Sequence, residues 1–168
     1  GLPYVLNSKY LIMESNKTYH VIWIDDKYKE YFGLIPHAKT EGIAIRPFDL
    51  GIDGIEELRT NLTKYDAIIL DVKCLYRSHH ETDSSANFYL IHKEILRLAI
   101  KTGEEIPCFV YSGQPDYTSN AEFENYLNGE KLYIKGQDDK KLLADIKVAA
   151  DKRLSTQIRH KYLDSVGK

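Results

Sequence analysis

The sequence predicts an α/β domain in which a five-stranded parallel sheet lies between two layers of helices. Short apolar runs alternate along the chain with longer segments of helical spacing. The runs are apolar at successive positions, which is typical of parallel strands that are buried on both faces. Right-handed crossovers leave few topologies for such a repeat, so we expect a flavodoxin-like, doubly wound sheet of three layers.

The strands are predicted from five runs that are rich in β-branched or aromatic residues and too short for independent helices. Four of these runs are bounded by polar or turn residues, and a weaker one follows Gly42. In chain order, the predicted strands are residues 20–24, 43–45, 67–70, 108–111 and 132–134.

The helices are predicted from apolar residues that recur every three or four positions between the strands. Gly103 should cap the second of them, and Asp139 near the start of the last suits the helix dipole. Residues 26–42 are harder to assign, because Pro36 should begin or interrupt a helix there. The four apolar stripes run from Ile52 to Leu62, from Phe88 to Ala99, from Phe123 to Leu127 and from Leu142 to Ile158.

The predicted organisation is one domain with an extension at each end. Residues 19–155 hold the β-α repeat, and residues 1–18 form an N-terminal extension, either a hairpin or a packed arm. Residues 156–168 would prolong the last helix to about 36 Å, longer than the sheet that it covers. We therefore expect this long C-terminal helix to serve as an oligomer contact or as a linker to an output domain.

Composition excludes several classes of protein. The formal net charge is −2, whereas nucleic-acid-binding domains usually carry a basic face. The apolar runs fall far short of the roughly 20 residues that span a membrane, and no signal peptide is recognised. Two cysteines, Cys74 and Cys108, without a metal-ligand spacing fit a reducing compartment. These features together predict a cytoplasmic protein. Because the chain begins with Gly1 and not with methionine, we expect the natural protein to extend beyond it.

Polar side chains stand at the carboxyl ends of four predicted strands. Asp25 and Asp26 follow the first strand, Asp71 the third, Ser112 the fourth and Lys135 the fifth. Ligands of doubly wound sheets bind at this edge, so these residues should converge. Three carboxylates repel one another, and their oxygen atoms suit a hard ion such as Mg²⁺. A carboxylate beside a divalent cation and a lysine can accept a phosphoryl group, which a serine hydroxyl can then hydrogen-bond.

Four motifs in this order resemble the signature of bacterial two-component response regulator receiver (CheY-like) domains. The resemblance covers roughly residues 19–155, and it is specific because the four motifs occur together on the β-α repeat. The motifs are Ile24-Asp25-Asp26, Ile69-Leu70-Asp71, Tyr111-Ser112-Gly113 and Ile134-Lys135.

The resemblance implies a role for each residue at the site. Asp71 would be the phosphoacceptor, and Asp26 would bind Mg²⁺ directly with a further ligand from the backbone carbonyl of Lys73. Asp25 would complete the acid pocket through water or Lys135. Lys135 would also contact the phosphoryl group, and Ser112 would be the switch hydroxyl.

The resemblance also implies a signalling domain and its partners. The phosphoryl donor would be the phosphohistidine of a sensor histidine kinase or of a phosphotransfer protein. A homodimer and a downstream output domain or protein are further candidate partners. The chain would not be an enzyme, beyond self-catalysed phosphotransfer and dephosphorylation.

Several residues depart from the family pattern. After Asp71 a Met-Pro or similar pair is usual, whereas this chain reads Val72-Lys73-Cys74-Leu75-Tyr76, with a cation at Lys73 near the site. Gly136 replaces a proline, so the preceding bond should be trans. Leu132 stands where the family has its switch aromatic, and the polar loop 76–86 is long. These departures favour an alternative, a phosphorylation-independent pseudo-receiver that acts as a protein-interaction domain.

Two other hypotheses have less support. A phosphohydrolase of the haloacid-dehalogenase type needs Asp-x-Asp at its nucleophile, which neither the sequence after Asp25 nor that after Asp71 supplies. A second metal site in the loop after Asp71 fits no common zinc spacing, so a solvated loop is the expectation there. The residues concerned are Cys74, His79, His80, Glu81 and Asp83.

Overall fold

A computed structural model describes residues 17–113 and 132–166 of the chain. Within them, five parallel strands form one sheet in the order β2-β1-β3-β4-β5. This order confirms the predicted doubly wound topology. The strands are β1 (Tyr19–Ile24), β2 (Ile43–Phe48), β3 (Ala67–Leu70), β4 (Cys108–Ser112) and β5 (Leu132–Ile134).

Helices cover both faces of the sheet. The predicted helix near Phe123 and nearly all of the predicted N-terminal extension lie outside the described residues. Two 3-10 helices, Tyr28–Tyr31 and Leu62–Lys64, accompany the α-helices. The α-helices are α1 (Leu34–Thr40), α2 (Gly51–Thr60), α3 (Ser85–Thr102) and α4 (Asp139–Val166).

The two faces of the sheet form two separate apolar cores. In β1, Ile22 and Ile24 pack with residues of α2 and α3, whereas Val21 and Trp23 pack with residues of α1 and α4. All four side chains are fully buried, as are nearly all of those in β3. Burial on both faces is the physical reason for the successive apolar positions in the sequence.

The edge strand and its neighbours differ in detail from the prediction. β2 extends to Phe48 and alternates between buried and exposed side chains, and it accommodates Pro47 because it lies at the sheet edge. Pro36 lies in the first turn of α1, where a proline is tolerated. The prediction that Ile52 faces the core is wrong, since it is 42% exposed and Gly54 packs on β1 instead.

The ends of α3 and the length of α4 follow the sequence signals. Gly103 adopts a left-handed conformation with φ of 70°, and its amide donates to the carbonyl of Ala99. α4 has 28 residues and is therefore about 42 Å long. Most side chains beyond Ala150 are exposed, although Arg153 contacts Glu104 at 2.9 Å. None of the helices in the described part of the chain is long and apolar enough to cross a membrane.

Candidate functional site

The sheet brings the predicted site residues together at its carboxyl edge. Ile24 of β1 is paired with Leu70 of β3, so the aspartates that follow them, Asp25 and Asp71, are neighbours. In the same way Ser112 is paired with Ile134, and its carbonyl accepts the backbone N–H of Lys135 at 2.8 Å.

Three carboxylates form an acid pocket at this edge, made of Asp25, Asp26 and Asp71. Each offers an oxygen atom, and these atoms all lie within 4.8 Å of one another. Asp25 is fully buried, Asp71 is buried and Asp26 is half-buried. One buried oxygen, Asp26 Oδ1, has no hydrogen-bond donor among the described residues. A hard cation such as Mg²⁺ would satisfy that atom and offset the repulsion, so the residues present fit the ion that the sequence implies.

Lys135 places a positively charged ammonium group between two of the carboxylates of the pocket. Its Nζ lies 2.5 Å from Asp25 Oδ2 and 3.5 Å from Asp71 Oδ2, and its side chain is 3% exposed. The other carboxylate oxygens of Asp25 and Asp71 accept hydrogen bonds from backbone amides: Asp25 Oδ1 from Lys27 and Asp71 Oδ1 from Val72, both at 2.9 Å. Within the described part of the chain, Lys135 is thus the lysine that pairs with two of the three carboxyl groups.

Burial, together with the charges of the neighbouring groups, shifts the pKa values in the pocket. Burial, followed by the charge of Asp25, raises the pKa of Asp71 to about 8, although Lys135 opposes the shift. Burial and Asp25 also raise the pKa of Asp26. Burial lowers the pKa of Lys135, but attraction by Asp71 and Asp25 outweighs it and leaves that pKa above its usual value. A second cation in the pocket would favour the ionised carboxylates.

Comparison with known proteins gives structural but no sequence matches. No protein-family model matches the chain, and no curated protein matches it. A CheY-like receiver domain protein from Methanospirillum hungatei JF-1 superimposes with a TM-score of 0.59 and 12% identity, over 83% of this chain and 99% of that one. A receiver protein from Burkholderia phymatum gives a TM-score of 0.55 and 19% identity, over 80% and 96%.

A third similar structure is the response regulator TrrA from Thermotoga maritima, described as a complex with Mg²⁺-BeF. Its TM-score is 0.55 with 14% identity, over 79% of this chain and 99% of that one. The chain has the receiver-domain fold. An acidic cluster such as Asp25, Asp26 and Asp71, with a lysine such as Lys135 beside it, is typical of the phosphoacceptor site of this fold. Domains with this fold are normally non-enzymatic signalling domains.

The receiver fold keeps Lys135 in place here without the usual proline. The Lys135–Gly136 bond is trans, and Gly136 has a φ of 79°, in the left-handed region that favours glycine. Asp139 accepts hydrogen bonds from the Tyr111 hydroxyl at 2.5 Å and from the Gly136 amide at 2.9 Å. Asp138 accepts from the amide of Ile134 at 2.8 Å. These acidic residues fix the turn that carries Lys135.

The other predicted features fall around the pocket. Ser112 is almost completely buried at the end of β4, and Lys73 is half-buried two residues after Asp71. The metal-binding role of the Lys73 carbonyl stays a prediction. Leu132 packs with the core that contains α2 and α3, whereas the hydroxyl of Tyr133 donates to Asp145 of α4 at 2.6 Å. The two residues thus lie on opposite faces of the sheet, as strand alternation predicted.

The loop after β3 is held by its own acidic residues. The Glu81 carboxylate accepts hydrogen bonds from the backbone amides of residues 76–78. His79 pairs with Asp49 at 2.5 Å, and Asp83 pairs with Lys27 at 3.6 Å beside the acid pocket. Within residues 17–113 and 132–166, Asp25, Asp26 and Asp71 are the one group of acidic, histidine or cysteine side chains placed to share a metal ion.

Sequence reasoning missed Tyr31. This residue ends the 3-10 helix after β1, and its ring centroid lies 4.7 Å from Lys135 Nζ. Pro36 makes residues 26–42 hard to assign from the sequence alone. The available signal was a pair of tyrosines, Tyr28 and Tyr31, that follow Asp25 and Asp26 closely in the sequence. Two aromatic residues at this spacing indicate that the segment packs back over the pocket.

Proposed function

We propose that this receiver-fold chain accepts a phosphoryl group on Asp71 and signals by a change of conformation within a two-component system. The observation that carries the proposal is the buried acid pocket with Lys135 bridging Asp25 and Asp71 at 2.5 and 3.5 Å. A structural role alone gives no reason to bury Asp25 and Asp71 around one lysine with a third carboxylate beside them, because removal of charges from water is costly.

Asp25, Asp26 and Asp71 would hold Mg²⁺, together with the backbone carbonyl of Lys73. When bound, the ion would supply positive charge that offsets the negative charge of the transferred group. Two observations support this part of the proposal. Asp26 Oδ1 lacks a donor among the described residues, and the similar T. maritima structure is described as a complex with Mg²⁺-BeF.

The chain's own residues would carry the transfer. A carboxylate oxygen of Asp71 attacks the phosphorus atom, a new O–P bond forms, and the donor's bond to phosphorus breaks with its electron pair leaving on the donor. Lys135 then binds an oxygen of the phosphoryl group. The hydroxyl of Ser112 donates to another such oxygen, a bond that exists only in the modified state and therefore acts as the switch.

The test is phosphorylation by acetyl phosphate, followed by intact-mass measurement. With Mg²⁺ present, the wild type should gain one phosphoryl group as acetate leaves, whereas Asp71→Asn should gain none. Asp53→Asn, a change to an exposed aspartate in α2, is the matched control and should react like the wild type. The absence of an adduct on a folded wild-type protein would contradict the proposal.

The alternative is a pseudo-receiver that binds partners without phosphorylation. One observation favours it: Lys135 already pairs with Asp25, and the side chains of Lys135, Asp25 and Asp71 are at most 7% exposed. Failure to bind Mg²⁺ with beryllofluoride, added to the absence of an acetyl phosphate adduct, would support this second function.

The same proposal extends to organisation and partners. Residues 19–155 would form the receiver domain, residues 1–18 an N-terminal extension, and residues 156–168 a helical extension or linker to an output domain. A sensor histidine kinase or a phosphotransfer protein would supply the phosphoryl group in the cytoplasm. A homodimer through the fourth and fifth β-α units is a further part of the proposal. We propose no contact of this domain with nucleic acid or with a membrane.

A further inference from the structure

Tyr31 lies against the ammonium group of Lys135. The centroid of its ring is 4.7 Å from Lys135 Nζ, and the ring of Tyr111 is 5.9 Å from the same atom. A cation is attracted to the face of an aromatic ring, most strongly when both are removed from water. The Lys135 side chain is 3% exposed, and Tyr31 is one of the groups that cover its ammonium group.

Gly113 allows Tyr31 to occupy this position. A Cβ atom on residue 113 would lie 2.9 Å from Tyr31 Oη, closer than such atoms approach one another, but 3.6 Å from Tyr31 Cζ and from Lys135 Cδ. The tyrosine thus reaches from Lys135 to the residue that follows Ser112. Its hydroxyl alone is too close to tolerate a methyl group at residue 113.

The segment that carries Tyr31 is anchored to the acid pocket itself. The amide of Tyr28 donates to the carbonyl of Asp25 at 3.2 Å, which starts the 3-10 helix. The Tyr28 ring also contacts the buried ring of Trp23 edge-on, with centroids 6.0 Å apart. Tyr31 packs against the same apolar core. The ring is therefore held on the segment that closely follows two of the three carboxylates.

We propose that Tyr31 is a roof over the phosphoryl site, which limits how fast small molecules reach Lys135 and Asp71. The inference rests on the proposed function and adds a residue that controls access without touching the reacting oxygen atoms. A small phosphodonor can enter only when the ring leaves the ammonium group. Breaking a desolvated contact of this kind corresponds to a change of about tenfold in an equilibrium. Only a minor open fraction of the protein then reacts, and the apparent rate is the rate of the open state multiplied by that fraction.

The same roof limits hydrolysis of the modified protein. In that reaction, the oxygen of a water molecule forms a bond to phosphorus, the bond between Asp71 and phosphorus breaks, and inorganic phosphate leaves with the water proton taken up by phosphate or solvent. Water must reach the site, as the donor must. Opening the roof should therefore raise the rate of phosphorylation and the rate of dephosphorylation together.

Four variants of the full chain separate the roof from other effects. Tyr31→Ala removes the ring, and Gly113→Ala displaces it through the clash with Oη. Tyr31→Phe keeps the ring without the hydroxyl, and the double variant Y31F/G113A has room for both side chains. The measurements are adduct formation with acetyl phosphate and Mg²⁺, adduct decay after donor removal, and labelling of Lys135 by acetic anhydride, read by peptide mass spectrometry.

We expect Y31A and G113A to raise all three rates by up to about tenfold, while Y31F and the double variant stay near the wild type. Rates in Y31A and G113A at or below those of the wild type, in folded protein, would overturn the inference. So would a double variant as fast as G113A, because residue 113 would then act without Tyr31.

Failure of the proposed function would be recognisable separately. If no variant forms an adduct, phosphorylation of Asp71 is refuted, and the labelling of Lys135 alone decides whether Tyr31 covers the site. Faster labelling in Y31A and G113A would still support the roof, and unchanged labelling would refute it.

Discussion

Replacement of Lys135 by methionine removes the ammonium group that pairs with Asp25 and Asp71 and keeps a side chain of similar length. At the observed 2.5 Å from Asp25, Coulomb's law with an effective dielectric constant of about 20 gives roughly 7 kcal/mol of attraction. Desolvation of both groups offsets part of this, and loss of one partner from a buried ion pair typically costs about 3–5 kcal/mol. We expect Lys135→Met to lower the free energy of unfolding by that amount without divalent ions.

Urea denaturation of the wild type and the variant, each in EDTA and in Mg²⁺, measures this loss. Mg²⁺ should stabilise the variant more than the wild type, because in the variant the ion replaces the positive charge that Lys135 places beside Asp25 and Asp71. At a concentration 100 times its dissociation constant, a ligand that binds only the folded state adds about 2.7 kcal/mol.

Lys141→Met is the matched control, since Lys141 is exposed on α4. Its unfolding free energy should stay within about 0.5 kcal/mol of the wild type. The reasoning is refuted if Lys135→Met in EDTA is as stable as this control. That result would mean that the carboxyl groups of the pocket do not depend on the lysine in the folded protein.

Two further predictions concern stability away from the pocket. Gly54→Ala should destabilise by up to about 2 kcal/mol in urea, because a Cβ would lie 2.6 Å from Ile24 Cδ1 and the overpacking cost of about 1–3 kcal/mol is offset by a helix-propensity gain of about 1 kcal/mol. Gly33→Ala, with no atom within 4 Å of the added Cβ, should be neutral or slightly stabilising, and a destabilised Gly33→Ala would contradict the packing argument. Burial lowers the pKa of His92 below its ordinary 6.5, so the unfolded state takes up the proton first and stability falls as pH drops below about 6.5. His92→Gln should reduce the fall in melting temperature between neutral pH and about pH 5, whereas the exposed His160→Gln should not, and an unchanged pH profile in His92→Gln would refute the assignment.

Several features of the fold were predictable because they follow from local patterns. The successive apolar residues of β1 and β3 indicated strands buried on both faces, and a parallel sheet with its ligand-binding edge at the carboxyl ends followed from them. The position of Asp25, Asp71 and Lys135 directly after predicted strands was therefore enough to place them at one edge of the sheet. Gly103 marked the end of α3 equally well, since its left-handed conformation is a requirement of the local backbone.

Other features depended on how distant segments approach one another. Ile52 has the spacing of a core residue, but α2 lies so close to β1 that glycine at residue 54 takes the contact position and Ile52 is turned to solvent. The start of α1 could not be predicted, because sequence alone does not tell whether a proline such as Pro36 lies in the first turn of a helix or ends one.

The sequence by itself determined the doubly wound sheet and the set of polar residues at its carboxyl edge, because both arise from hydrophobic periodicity and from the residue at each strand end. Only the tertiary structure decided how that edge is completed. Lys135 bridges Asp25 and Asp71 beneath the ring of Tyr31, and Asp139 with Tyr111 fixes the turn where a proline was missing. Such contacts join residues more than 25 positions apart, and their distances depend on the packing of whole elements, which no local pattern records.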